Sequence, residues 1–450
     1  MTVSLDLLPV AATGTLSLRE RATTAAAAVS TEALVLAVAI PILFIHLRYQ
    51  PKFHLGLSST KVGVELSDFA VLATVLAALA AGVRRGFAPL RRGTPLWIAT
   101  AAYFAWVVIE VAIPAGSAGY PTAKHAVTAA KLVEYALLAP ALVLVLRTRI
   151  EVRLVAYVFT AWSVLATAVG IVQFFGANIF VSGATGGRQL SFLGFHDFAS
   201  LSAAALLLGA ATFALPRLEL DRRAGWFALA AVCIGVILSA ALAAVIGIAA
   251  AAAVLALLAL VRREVVVRGL VVAAIAVAVA LVGAVAMRGN DLGRYFGLEK
   301  DKHPSTDVES YAHRTVLAYI GYRIWRDHPV AGVGFEASND PSRYLRYVPA
   351  AKARYPHEPA LAFPTATRAY GVQNFYVQHL ADLGVVGLLL LGGTFAASLG
   401  LGIGRLASTG AVIGLLWTLA VGGLWIAQGI VAGLPLDALT WIAFGLAARG

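Results

Sequence analysis

The sequence is poor in charged residues and contains a single cysteine. Charged residues make up 13% of the chain and hydrophobic residues 60%, whereas a soluble globular domain has about 25% charged residues. The lone Cys233 excludes a disulfide within the chain and a metal site built from several cysteines. With a mean hydropathy of +0.83, these shortages predict an all-α polytopic integral membrane protein rather than a soluble enzyme.

The formal net charge of +12 does not indicate a nucleic-acid partner in such a chain. In membrane proteins Lys and Arg collect at the ends of spans because cytoplasmic loops retain positive charge. We therefore predict no nucleic acid among the partners, and we read the basic residues as signals of topology.

Long apolar runs predict about twelve membrane spans, since crossing the hydrocarbon takes roughly 20 apolar residues. The predicted spans are 31 to 47, 66 to 83, 95 to 114, 126 to 146, 152 to 176, 198 to 216, 225 to 240, 241 to 261, 268 to 287, 374 to 403, 409 to 431 and 436 to 449. The seventh and eighth form one apolar stretch, which we divide near Ser239.

Every alternate short loop is basic, which predicts that both termini are cytoplasmic. The basic connections are "RRGFAPLRRG" from Arg84, "RTRIEVR" from Arg147, "PRLELDRR" from Pro216, "RREVVVR" from Arg262, and the turn at Arg405. The opposite connections, such as "IPAGSAGYPTAK", carry few charges. This alternation also favours dividing the stretch at Ser239.

One connection is far longer than the others: residues 288–373, called the large loop below, within a single membrane domain 1–450. Loops longer than about 12–15 residues are usually functional or disordered. The orientation predicts an extracytoplasmic position for this loop. Its aromatic residues favour a functional loop over a disordered one.

The large loop contains an amphipathic helical pattern, "SYAHRTVLAYIGYRIWRDHP". At 3.6 residues per turn, Leu317, Ile320 and Ile324 share one side, which we expect to lie on the membrane. The other side faces a polar cavity in this interpretation and holds Tyr311, Arg314, Ala318, Tyr322 and Trp325. Guanidinium groups bind phosphate oxygens, and aromatic faces suit sugar rings. The alternative is an interfacial helix whose arginines reach lipid headgroups.

A second polar stretch of the large loop predicts an anionic substrate. It follows "HPVAGVGFE", in which Gly332 and Gly334 permit a tight turn. Its ionisable residues are Arg343, Arg346, Lys352, Arg354, His357, Glu358 and Arg368. The alternative is a solvated basic loop resting on anionic lipid.

Ionisable residues inside or near spans are further candidates, because their burial is costly. Lys131 and Glu134 are spaced to pair with each other, which is a purely structural role. Near the sixth span, Arg188, His196 and Asp197 are expected at the height of the large loop, although His196 and Asp197 are equally suited to cap a helix.

Over most of its length the chain resembles the O-antigen ligase and O-antigen polymerase superfamily of bacterial surface-polysaccharide enzymes. The resemblance rests on the span count, the large loop, the run from Arg314 to Phe335 that contains "DHPVAGVGF", and a late motif. The family pattern is His-Asn, nine residues, then Gly-x-x-Gly. Here Asn374 is followed by nine residues, Gly384 and Gly387, but Gln373 replaces the histidine.

That resemblance implies transfer of a glycan from an undecaprenyl-diphosphate carrier to an acceptor lipid or glycan at the outer face of the bacterial cytoplasmic membrane. The implied reaction is inverting and needs no metal and no cofactor. The resemblance assigns the catalytic role to Arg314, Gln373 and Asn374. The proposed substrate-binding residues are Arg288, Arg188, Tyr311, Tyr322, Trp325, His357 and Arg368. Ligase and polymerase differ in the acceptor, and the sequence does not separate them.

Gln373 leaves the acid-base step open, since an amide cannot accept a proton as histidine does. Glutamine suffices if orientation is the main contribution, or another base such as His357, Glu358 or His379 serves instead, or activity has diverged. Two other classes of function also stay open: a polysaccharide or lipid transporter, and a noncatalytic envelope scaffold.

Overall fold

The computed structural model describes residues 29–57, 60–180, 188–194, 197–205, 222–239, 249, 267–287, 310–411, 413–431 and 437–449. Within these ranges the regular secondary structure is helical apart from one antiparallel hairpin, β1 (Lys52–Leu57) and β2 (Thr60–Glu65), with Lys52 paired to Glu65. The principal helices are α1 (Thr31–Leu43), α2 (Leu66–Arg85), α3 (Thr94–Ala112), α4 (Thr122–Ala136), α5 (Leu138–Val145), α6 (Arg149–Phe174), α7 (Arg222–Ser239), α8 (Val267–Met287), α9 (Ser310–Asp327), α10 (Val348–Arg354), α11 (Phe375–Thr409), α12 (Ile413–Val431) and α13 (Ala438–Arg449).

Five of the described helical segments are long and apolar enough to cross a membrane. They are Leu66–Arg85, Ala88–Ala112, Thr122–Val145, Arg149–Phe174 and Phe375–Thr409, and each corresponds to a predicted span. Shorter apolar helices occupy five further predicted positions, at α1, α7, α8, α12 and α13. The eighth predicted span, apart from residue 249, and most of the sixth lie outside the described residues. The helical class is confirmed, and the number twelve stays a prediction.

Helix ends that were predicted to be cytoplasmic meet at one end of the bundle. The carboxylate of Glu32, at the start of α1, forms ion pairs with Arg84 and Arg85 at the end of α2. At the far end of the chain, Arg449 donates to the backbone carbonyls of Leu146 and Arg147. These contacts bring basic helix ends together, and the side of the membrane that they face stays a prediction.

The main hydrophobic core lies where α11 packs against α3 and where α13 packs against α5 and α12. Its largest fully buried side chains include Trp417, Trp441, Tyr103 and Phe159. Phe159 and Trp417 meet edge to face with ring centroids 4.5 Å apart, the arrangement that aromatic quadrupoles favour. This core fixes α11, which carries the family motif at its start.

Lys131 and Glu134 do not form the structural pair that their spacing predicts. The ammonium of Lys131 pairs instead with Asp68 of α2, whose carboxylate also accepts from the backbone N–H of Glu65 at 2.8 Å. Asp68 therefore both caps α2 and joins it to α4. A helical spacing alone could not reveal this partner, because Asp68 lies 63 residues away in sequence.

The apolar side of α9 packs inside the large loop rather than on the membrane. Ile320 and Ile324 are buried, 2% and 0% exposed, in a small second core. The other members of that core are Val316, Tyr344, Tyr347, Val348, Ala351, Ala362, Phe363 and Ala381. The expectation of a membrane-facing side was wrong because the helix period identifies a buried face without identifying what buries it.

Candidate active site

Arg314 and Gln373 are brought together by α9 and the start of α11. The Nε of Arg314 donates a hydrogen bond to Oε1 of Gln373 at 3.0 Å. The two residues are 59 positions apart in sequence, so the fold itself assembles the pair. The sequence had assigned both to the catalytic step on the family resemblance, and the structure places them in direct contact.

A pocket of about 420 Å³ opens beside this pair, and we call it the Arg314 pocket. It is lined by Arg314, Thr315, Ala318, Tyr319, Tyr322, Tyr355, Gln373, Asn374, Val377 and Ile430. Its volume falls in the range of about 300–1,000 Å³ typical of small-molecule sites. One wall is aromatic, one end is cationic, and Ile430 of α12 adds an apolar edge.

Asn374 anchors the start of α11 at the edge of this pocket. Its Oδ1 accepts from the backbone N–H of Val377 at 3.0 Å, which is a helix N-cap contact. Its Nδ2 donates to the carbonyl of Ile430 at 3.0 Å. The oxygen and the nitrogen of the amide thus both hold the start of α11 in place. The geometry therefore favours a structural role for Asn374 over the catalytic role predicted.

Gly384 of the motif creates a break in α11 that receives the "HPVAGVGF" segment. Gly384 adopts φ 66° and ψ −172°, outside the helical region. The N–H groups of Val333 and Gly334 donate to the carbonyls of Ala381 and Asp382 at 2.9 and 3.0 Å. A Cβ on Gly384 would lie 1.9 Å from the carbonyl oxygen of Val330. The two parts of the family resemblance therefore contact each other directly.

Beneath this junction, buried polar groups join the large loop to α3, α4 and α11. His125 Nε2 lies 3.2 Å from an oxygen of Asp340, and Asp382 accepts from the N–H of Ser338 at 2.7 Å. Glu336 has φ 61°, a left-handed conformation, and accepts from Asn339 at 2.7 Å. Burial raises the pKa of Glu336 and of Asp340 above their ordinary values. The sequence analysis missed this network, because its members come from three separate segments: α4, the large loop and α11.

The other residues predicted to bind substrate lie beside the Arg314 pocket or away from it. Trp325 donates to the carbonyl of Pro329 at 3.2 Å and has its ring 5.9 Å from that of Tyr322, beside the lining. Arg368 donates to the carbonyl of Phe363 at 3.2 Å. Arg188 donates to the carbonyl of Ser239 at 3.2 Å, at the end of α7, and is not in the lining.

Three candidates fall partly or wholly outside what can be described. Arg288 and His196 lie outside the described residues, and Tyr311 is described only as part of α9, without its side chain. Tyr322 lines the Arg314 pocket, as predicted, with 45% of its surface exposed.

None of the three bases weighed as replacements for histidine lines the Arg314 pocket. His357 is solvent-exposed and Glu358 half-buried. His379 is 8% exposed, with its Nε2 2.9 Å from the hydroxyl of Tyr103. Among the described lining residues, only Arg314 carries a charge at neutral pH.

The sequence analysis also missed five lining residues: Thr315, Tyr319, Tyr355, Val377 and Ile430. Tyr319 lies on α9, but roughly 140° from Arg314 at 100° per residue, beyond the face chosen for the cavity. Tyr355 and Ile430 come from distant segments, and no spacing in the sequence connects them with Arg314.

The helical bundle, its apolar spans and the polar pocket at one end define a membrane protein with a candidate site at the border of its large loop. Residues 226–392 match the family model described as O-antigen ligase. Residues 226–392 therefore resemble the O-antigen ligase family, which confirms the predicted resemblance to the O-antigen ligase and polymerase superfamily. Among curated proteins, none matches the chain. The match covers little more than a third of the chain and includes Arg314, Gln373 and Asn374.

Proposed function

We propose that this protein transfers a glycan from an undecaprenyl-diphosphate donor to an acceptor hydroxyl at the outer face of the bacterial cytoplasmic membrane. The O-antigen ligase domain supports glycan transfer of the ligase or polymerase type. The observation that carries the finer proposal is the hydrogen bond between Arg314 and Gln373 at the cationic end of an aromatic-walled pocket.

Arg314 holds the donor diphosphate in this proposal. Gln373 accepts from Nε and so fixes the plane of the guanidinium, whose terminal nitrogens carry four more N–H groups. As the glycosidic bond to phosphate breaks, negative charge grows on the diphosphate leaving group. A fixed guanidinium stabilises that charge more in the transition state than in the bound substrate, which is what accelerates the step.

Gln373 positions groups in this mechanism but does not take a proton, since its amide has no basic site near neutral pH. The acceptor hydroxyl attacks the anomeric carbon, the bond to the diphosphate breaks, and the hydroxyl proton passes to solvent or to the released diphosphate. The sugar carbon inverts in a single displacement of this kind. The reaction proposed needs no metal, because the donor is already activated by its diphosphate.

The proposal is tested by glycan transfer with purified full-length protein in liposomes containing EDTA. Wild type is expected to transfer glycan from an undecaprenyl-diphosphate oligosaccharide, and Arg314→Ala to be about 10²–10³-fold slower in kcat/KM. Arg326→Ala is the matched control, because Arg326 lies on the same helix but outside the pocket lining. Equal rates for Arg314→Ala and Arg326→Ala would overturn the proposal.

A further inference from the structure

Two arginines flank the far side of the Arg314 pocket, beyond its tyrosine wall. The hydroxyl of Tyr319 accepts from Arg323 at 3.0 Å, and the Arg323 guanidinium lies 5.9 Å from the centre of the same ring. The guanidinium of Arg354 lies 6.0 Å from the centre of the Tyr355 ring. The two tyrosines meet edge to face at 5.6 Å. We call these four residues the arginine–tyrosine rim.

Arg314 and Arg323 lie on opposite sides of α9. Nine residues separate Arg314 from Arg323, which places them about 13 Å apart along the axis and roughly 180° apart round it. Tyr319 lines the pocket, and Arg323 lies just behind it. A glycan that leaves Arg314 along the tyrosine wall therefore meets Tyr319 and Tyr355 first, with Arg323 and Arg354 behind them.

Basic residues outnumber acidic residues in the described part of the large loop, 310–373. Residues 310–373 contain eight Lys and Arg but four Asp and Glu, and two of those acids, Glu336 and Asp340, bond on the side of α3, α4 and α11. Asp327 accepts from the hydroxyl of Tyr347 at 3.0 Å and lies 3.9 Å from Arg326. Asp327 is the described acid whose charge acts on Arg323, and it is shared with Arg326 and Tyr347.

We infer that the arginine–tyrosine rim binds an acidic sugar of the transferred or accepting glycan, so that the substrate class is an anionic polysaccharide. The tyrosine faces stack on sugar rings, and the arginines pair with a sugar carboxylate. Two cations held on aromatic rings are less mobile than surface lysines, so they recognise a carboxylate at a lower cost in conformational entropy.

The inference rests on the proposed function, because it assumes that the glycan extends from Arg314 towards the rim. Its test measures binding alone and does not require glycan transfer. Full-length protein in phosphatidylcholine nanodiscs is titrated with an oligogalacturonate and with a neutral oligosaccharide of equal length, and the Kd values are measured by calorimetry. Wild type is expected to bind the acidic chain at least about tenfold more tightly, and Arg323→Gln or Arg354→Gln to reduce that preference by roughly tenfold.

Arg326→Gln provides the matched control, because its side chain is 54% exposed on the same helix and faces Asp327. It is expected to keep the preference of wild type. Equal affinity for the two oligosaccharides, or an equal loss in Arg326→Gln, would overturn the inference. So would rim variants that change only binding to discs containing phosphatidylglycerol, since the rim would then be a lipid contact.

The two proposals fail separately. Free oligosaccharides carry no diphosphate, so Arg314→Ala is expected to keep the acidic preference while it loses transfer. A protein that shows no transfer but prefers the acidic chain through Arg323 and Arg354 would contradict the proposed reaction and support the rim.

Discussion

At the scale of single residues, the hydrogen bond between Arg314 and Gln373 accounts for a glutamine at the position where the family has histidine. The amide oxygen accepts the Arg314 Nε–H at 3.0 Å, and an imidazole nitrogen at the same position accepts the same bond. Orientation of the guanidinium is therefore retained, whereas proton transfer is not. The structure favours the interpretation in which positioning is the main contribution of this residue.

Gln373→Leu is expected to lower kcat/KM by about tenfold or more, because a hydrogen bond to a charged group is worth roughly 1.5–3 kcal/mol. Gln373→His is expected to retain the rate of wild type and to gain a pH dependence near the ordinary histidine pKa of about 6.5. The measurement is the pH profile of kcat/KM for glycan transfer. A rate in Gln373→Leu equal to wild type would show that the bond has no catalytic role.

His313 is expected to make the packing of the large loop sensitive to acid. Burial lowers its pKa below 6.5, and the charges of Arg368 and Arg314 lower it further, against an opposing backbone contact at Ala362. The unfolded loop therefore binds the proton more readily, so this contribution to stability is present above pH 6.5 and is lost as the pH falls towards the folded-state pKa.

The corresponding prediction is that acid loosens the packing of α9. Hydrogen exchange of residues 313–324 is expected to accelerate between pH 7.5 and pH 5.5, after correction for intrinsic rates, and less so in His313→Gln. An identical pH response in the two proteins would assign the effect to another group, such as His328, whose pKa burial also lowers.

At the scale of secondary-structure elements, the break in α11 positions the site. Gly384 is expected to be intolerant of alanine, since its φ of 66° is unfavourable for a residue with a Cβ and that Cβ would collide with the carbonyl of Val330. Gly384→Ala should lower stability by more than about 1 kcal/mol and slow transfer, because the loop segment 329–334 loses its contact with α11.

Gly393→Ala is the matched control within the same helix, because a Cβ there meets nothing within 4 Å. It is expected to be neutral or slightly stabilising, since alanine is the better helix former. Thermal unfolding of the two variants in detergent provides the comparison. Equal melting temperatures for Gly384→Ala and Gly393→Ala would show that the break at Gly384 does not stabilise the packing of the loop on α11.

The elements also show how far the sequence predicts this structure. Hydropathy located the five long spans, and the family pattern located Asn374 at the start of α11. The period of α9 identified Arg314, Ala318 and Tyr322 as one face, and all three line the pocket. The partner of the opposite face could not be predicted, because Ile320 and Ile324 pack on loop residues that carry no periodic signal.

Contacts between distant segments account for most of what the sequence did not reveal. Tyr355 and Ile430 reach the pocket from separate parts of the chain, and Asp68 displaces Glu134 as the partner of Lys131. Such pairings depend on the packing of helices, which local spacing does not encode. The Arg314–Gln373 contact could be anticipated only because the family resemblance assigned both residues to the same catalytic step.

At the scale of the whole molecule, the predicted orientation places the large loop outside the cytoplasm. In a Cys233→Ser background, cysteine introduced at Arg354, which is exposed in the loop, is expected to react with a membrane-impermeant maleimide added to whole cells. Cysteine introduced at Arg92, in a basic connection at the opposite end, is the control and is expected to react only after lysis. The reverse pattern would invert the topology and contradict transfer at the outer face.

The most direct test of the central claim is binding of undecaprenyl diphosphate to the Arg314 pocket. Full-length wild type and Arg314→Ala are placed in phosphatidylcholine nanodiscs with EDTA, and the Kd for the lipid diphosphate is measured, with Arg326→Ala as control. We predict saturable binding that weakens at least about tenfold in Arg314→Ala and is unchanged in Arg326→Ala. The same affinity in all three proteins would contradict the assignment of Arg314 to the diphosphate.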